Sequence, residues 1–226
     1  MASRVAAFPG SKSLRDNFDP GRDGAGGGGI EHDHGGGQAP GGPIPLHTYY
    51  TGLWLVLGAI VMFFAGLTSA VVVRKGISSD WAVIALPRIL FFNTLVLAAS
   101  SFLLERARRQ LRGLPLGKDV HLGSRLGAVL LLGLTFLVGQ LGAWRDLAER
   151  GIFLATNPSS SFIYLLTGAH GFHLFGGLVA IGYAALRAPS LTASIRGRTL
   201  VDVIAIYWHF VGILWIYVLA LLTLKM

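Results

Sequence analysis

The chain has 226 residues, 53% of them hydrophobic and only 13% charged, with a mean hydropathy of +0.60 and a formal net charge of +8. A soluble domain carries about 25% charged residues. The charges here are also clustered, so the composition points to an all-α, polytopic membrane bundle. The sequence contains no cysteine, which excludes disulfides, cysteine-ligated zinc, iron–sulfur clusters and thiol catalysis. In such a chain the basic excess belongs to loops that set orientation, and no nucleic-acid partner is expected.

Residues 1–45 read as a disordered, glycine-rich cytoplasmic tail, with Gly26–Gly29 and Gly35–Gly37 and scattered Asp and Arg. Such a stretch lacks a signal-peptide core and buries too little apolar surface to fold alone. His32, Asp33 and His34 could bind a metal weakly, but a solvated arm is the simpler reading.

Residues 46–226 form a transmembrane domain of five predicted helices, at about 49–73, 81–104, 124–145, 159–187 and 200–224. Each is long enough to cross about 30 Å of hydrocarbon at about 1.5 Å per residue. Arg74 and Lys75 stop the first. Pro87 and Arg88 are expected within the first two turns of the second, where proline is tolerated and arginine can snorkel. Asn157 and Pro158 are a cap-and-proline start for the fourth. The short links after the second, third and fourth spans predict antiparallel neighbours. An inside N-terminus puts thirteen of the nineteen Lys and Arg residues on the cytoplasmic side, in the tail, the link around 106–125 and the link around 187–198. The N-terminus is therefore expected inside and the C-terminus outside, periplasmic in a bacterial inner membrane.

Two stretches are unusual for hydrocarbon: His170-Gly171-Phe172-His173-Leu174-Phe175-Gly176-Gly177 and Tyr207-Trp208-His209-Phe210-Val211-Gly212. Histidine there needs partners, and glycine gives up helix propensity. His170, His173, Gly177, Ala180 and Ala184 recur at heptad-like spacing, as do Asp202, Ala205, His209, Gly212, Ile216 and Leu219. The expectation is one polar seam between the fourth and fifth spans, with His173 and His209 within a turn of equal depth and glycines opposite. Three readings compete: neutral imidazoles bonding helices together, haem or metal ligands, and a proton relay. No acidic residue lies in either helix core and no phosphate loop, nucleophile–base pair or HExxH motif is present, so no self-contained active site is expected. Trp81, Trp144, Trp208, Trp215 and Tyr217 read as belt or packing aromatics. Arg88, Trp208 and Trp215 are candidate contacts to lipid headgroups or the interface. Asn93, Thr94 and Gln140 read as interhelical hydrogen-bonding residues.

The string HGFHLFGG at 170–177, followed one helix later by YWHFVGILWIY at 207–217, resembles subunit III of haem–copper terminal oxidases. Met62-Phe63-Phe64-Ala65-Gly66, Leu86-Pro87 with Asn93-Thr94, Leu97 and Ser100-Ser101, and Gln140 with Trp144 extend the likeness over about residues 48–224. The resemblance implies a five-helix form that binds no haem or copper itself. It implies a catalytic subunit I, which carries those groups, and a subunit II as partners in aerobic electron transport. It also implies bound structural phospholipid and support for proton uptake and assembly. Three carboxylates frequent in the family are replaced by Ile60, Ala143 and Gly212, so roles attached to them do not carry over. A quinol oxidase subunit III, a nitric-oxide-reductase accessory subunit and a small haem-binding membrane cytochrome using His170 or His173 with His209 stay open as alternatives.

Overall fold

The computed structural model describes residues 45–77, 86–118, 121–154 and 156–225. The predicted tail, with its His32-Asp33-His34 group, and Trp81 lie outside the described residues. Six helices are seen among them: α1 (Leu46–Ile77), α2 (Ile89–Arg112), α3 (Leu122–Glu149), α4 (Pro158–Leu186), α5 (Ala188–Thr192) and α6 (Ile195–Lys225). All but the one-turn α5 are long and apolar enough to cross a membrane, so five spanning helices were legible in the sequence.

Their ends follow local chemistry. Pro87 and Arg88 precede α2 instead of lying inside it. Proline has no N–H to give, and it disfavours helical geometry in the residue before it. At its other end α2 runs two turns past the predicted stop at Leu104. Glu105 there pairs with Arg108 at 2.7 Å and Arg109 at 2.7 Å, the i,i+3 and i,i+4 spacings that steady a helix. α4 opens with the expected cap: the Asn157 side chain accepts from the backbone of Ser160, and the Ser160 hydroxyl accepts from the Asn157 backbone at 3.1 Å. α6 starts five residues before the predicted 200, because the Ser194 hydroxyl accepts from the Gly197 N–H at 3.0 Å and caps it.

α2, α3, α4 and α6 close a ring, each packing on its two neighbours, and α1 lies outside the ring against α6 and α4. The links from α2 to α3, α3 to α4 and α4 to α6 join packed neighbours, as predicted. Lipid gives apolar side chains no reason to leave it, so such helices associate through close packing and interhelical hydrogen bonds. Phe64, Leu104, Phe136, Leu166, Leu174, Trp208, Trp215 and Leu222 fill the centre. Trp54, Leu55, Met62, Phe91, Phe92, Phe172 and Phe175 face outward.

Candidate functional site

His170, on α4, is fully buried. Its ring lies between Phe136 of α3 and Trp215 of α6, with centroids 5.8 and 5.0 Å away, and neither ring nitrogen has a hydrogen-bond partner among the described residues. Aromatic packing holds this imidazole. His173, one turn on, faces α1: its ring is 5.8 Å from that of Phe64 and 6.3 Å from that of Phe63. Its Nδ1 lies 2.7 Å from the Ala169 carbonyl, an acceptor that assigns the proton to that nitrogen. The Tyr207 hydroxyl of α6 donates to the His173 carbonyl at 2.9 Å. Gly177 completes the α4–α6 joint. A Cβ there would meet the Trp208 ring at 3.0 Å and Tyr207 at 3.2 Å, so glycine lets the indole come this close to α4 without displacement.

The expected single seam of histidines does not form. His209 turns away from α4 to α2, where its Nε2 is 3.5 Å from Glu105. Gly212 follows it, its Cβ position 3.5 Å from the Ser101 hydroxyl of α2. The cause is helical phase: successive residues step about 100° round α6. With Trp208 aimed into the ring, Tyr207 falls on the α4 side and His209 on the α2 side.

Trp208 and Trp215 are likewise not at a headgroup layer. Both are fully buried, and both indoles donate inward, Trp208 to the Ser100 hydroxyl at 2.8 Å and Trp215 to the Thr94 hydroxyl at 3.0 Å. A buried indole N–H needs a partner, and α2 supplies one for each. Arg88 is exposed just ahead of α2, where an interface contact remains open to it. Asn93 donates to the Phe136 carbonyl at 3.3 Å, and Trp144 donates to Thr167 at 3.1 Å. The Gln140 carbonyl oxygen is buried without a partner among the described residues.

Sequence reasoning missed a charged cluster that joins the end of α2 to the start of α6. Asp202 lies 3.0 Å from Arg112 and 3.6 Å from Arg108. Arg108 also grips Glu105 through Nε and Nη2 at 2.7 and 2.9 Å, and His209 sits on the other side of that carboxylate. The spacing Glu105-Arg108-Arg109 was a readable signal, but which acid meets which base across two helices is tertiary information. Below the cluster a groove of about 560 Å³ opens between α2 and α6, lined by apolar side chains with Thr94 and Ser101 among them.

Of the positions where carboxylates are replaced, Ile60 and Ala143 are core residues and Gly212 lines the groove. A haem held by His209 with His170 or His173 would need imidazoles facing one another between α4 and α6. They face different helices and His170 is enclosed by rings, so these residues do not fit that group. Among the described residues no three His, Asp or Glu side chains converge as a metal ion would require.

No family model matches the chain. It is 31% identical over 179 residues to the cytochrome c oxidase subunit 3 of Thermostichus vulcanus, covering 76% of this chain and 84% of that one. Over 172 residues it is 30% identical to a probable cytochrome c oxidase subunit 3 of Nocardia farcinica, covering 73% and 80%. A probable cytochrome c oxidase subunit 3 of Mycobacterium bovis is 34% identical over 123 residues, covering 54% of this chain and 59% of that one. The chain thus spans rather less than two thirds of the Mycobacterium relative.

Proposed function

Since the chain belongs to the cytochrome c oxidase subunit 3 family, we propose that it is a non-catalytic subunit of a haem–copper respiratory oxidase. Its partners are the catalytic subunit I, which carries haem and copper, and subunit II. The complex reduces oxygen with electrons from cytochrome c and translocates protons; this chain supports its assembly, its bound phospholipid and proton uptake by subunit I. The observation that carries the reading is how the polar residues of the spans are used. Trp208, Trp215, Asn93, Trp144 and Tyr207 each bond one helix to another, which is what a scaffold requires. The basic residues favour an inside N-terminus and a periplasmic C-terminus in a bacterial inner membrane.

The test is purification of the full chain from its native membrane in mild detergent, with a reduced-minus-oxidised spectrum and an oxygen-consumption assay. The expected result is a stoichiometric haem-containing partner and cytochrome c oxidation. A chain that purifies alone refutes the assignment, and a b-type band from the lone chain replaces it with the small cytochrome.

A further inference from the structure

We propose that the link between α3 and α4 is an interfacial anchor, with the side chains of Phe153 and Leu154 dipped into the acyl edge of the leaflet at that end of the bundle. On the orientation set by the basic residues this is the outer leaflet. The inference goes beyond the subunit assignment, because it concerns how one end of the chain meets the bilayer. The partner is the membrane surface itself, with no single lipid selected.

The first observation is a backbone bonded by the protein instead of by water. Phe153 and Leu154 are neighbours in the link, 57% and 59% exposed. Under an exposed pair in water, loop carbonyls find partners in the solvent. Here α3 ends in a Schellman motif at Gly151, where φ is 76°. The Gly151 N–H donates to the Ala148 carbonyl at 2.9 Å, and the Ile152 N–H to the Leu147 carbonyl at 3.0 Å. The Phe153 N–H donates to the Thr156 hydroxyl at 2.9 Å. Hydroxyls from α4 then donate to successive carbonyls of the link: Tyr164 to Ile152 at 2.9 Å, Ser160 to Phe153 at 2.8 Å, and Ser161 to Leu154. Irregular backbone needs such internal partners where water is scarce, because lipid offers it none.

The second observation is depth. Ser161, which holds Leu154, also lines a cavity with Val73 and Arg74 of α1. Val73 is 59% exposed and is the last apolar residue before Arg74 and Lys75, so the hydrocarbon ends near this level. Leu224 of α6, just ahead of Lys225, is 78% exposed at the same end of the bundle. A link at that level keeps its backbone among headgroups and lowers only its side chains, as interfacial segments do to a depth of about 5–10 Å. The last turns of α3 supply the polar flank, with Arg150 and Asp146 paired at 2.7 Å.

The test exploits a chain without cysteine. Phe153→Cys and Leu154→Cys are made in the full chain, purified with whatever subunits accompany it, spin-labelled and rebuilt into vesicles of phosphatidylcholine and phosphatidylglycerol. The signal of the unsubstituted preparation is subtracted to remove labels on other subunits. Collision rates with oxygen, which concentrates in lipid, and with a water-soluble nickel chelate report the depth of each label. The expected result is oxygen collisions exceeding nickel collisions at both positions. Ser161→Ala, which strips the Leu154 carbonyl of its donor, should shift the label at 154 toward water. Nickel collisions exceeding oxygen collisions at either position place the link in water and overturn the proposal. Few collisions with either reagent place the pair under a neighbouring protein and overturn it too. An unchanged depth at 154 in a normally assembled Ser161→Ala variant also overturns it, because the bonded carbonyls are then not what brings the link to lipid.

Discussion

The bond from Trp208 to Ser100 is the sharpest test of the idea that polar residues here are joints. Both side chains are fully buried, on α6 and α2, and the indole nitrogen lies 2.8 Å from the serine oxygen. Ser100→Ala removes only the acceptor and leaves a buried N–H unpaired, a cost of about 1–3 kcal/mol. Trp208→Phe removes the donor and part of a ring held between Gly133 and Gly177, and the added cavity raises the cost to roughly 2–4 kcal/mol. The freed Ser100 hydroxyl can turn to a carbonyl of its own helix. The double variant should cost less than the two single changes together, by about 0.6–1.7 kcal/mol, the range of interhelical bonds in membranes. Denaturant titration in detergent micelles, following tryptophan fluorescence or subunit release, measures all four corners of the cycle. A coupling below about 0.3 kcal/mol, the error of additivity, would mean that packing alone joins α2 to α6.

Three further outcomes follow from the same geometry. Gly133→Ala puts a methyl onto Leu178 and the Trp208 ring and should cost about 1–3 kcal/mol by overpacking, whereas Gly171→Ala meets nothing within 4 Å and should be neutral or stabilising by up to about 1 kcal/mol; melting temperatures of the two variants check the contrast. His170→Phe exchanges a buried ring whose two nitrogens have no partner among the described residues for an apolar ring of similar shape, and should leave stability unchanged or raise it by about 1 kcal/mol; a loss above about 2 kcal/mol in the same titration would show that its nitrogens are bonded in the membrane. Asp202→Asn releases Arg112 and Arg108 at a partly screened site and should cost about 1 kcal/mol at low salt, with the difference shrinking as salt is raised in a melting series.

What the sequence revealed, and what it hid, divides along the line between periodicity and partner. Hydrophobic length marked five spans, and Asn157-Pro158 marked a helix start, because these are properties of one segment. The start of α2 was misjudged because the apolar run continues through Pro87, whereas α2 begins only at Ile89. The beginning of α6 was missed because Ser194, its cap, lies in a polar link with other candidates. Asn93 and Thr94 were recognised as interhelical residues from their type alone. The two tryptophans were not, since a Trp in a span can sit at an interface or in a core, and only the Ser100 and Thr94 hydroxyls opposite decide it. The likeness in the 170–177 and 207–217 stretches identified the family through residue order, although the histidines in them do not meet.

The heptad face of α6 that carries His209, Gly212 and Ile216 is real, but periodicity tells that a face exists and not what it faces. Two glycines separate the cases. At Gly177 a Cβ would press into the Trp208 ring at 3.0 Å, and at Gly212 it would touch only the Ser101 hydroxyl, at 3.5 Å. The first glycine is small so that another helix can occupy its place. The second has space in front of it, bounded by apolar walls and ending in Glu105, Arg108 and His209. A joint and an open groove wall thus share one sequence signature in lipid, because both place a missing side chain beside a polar group. On α4 that signature makes a contact that must stay filled. On α6 it leaves an open groove that ends in the paired Glu105 and Arg108 beside His209, a polar end that the packed α4–α6 face does not have.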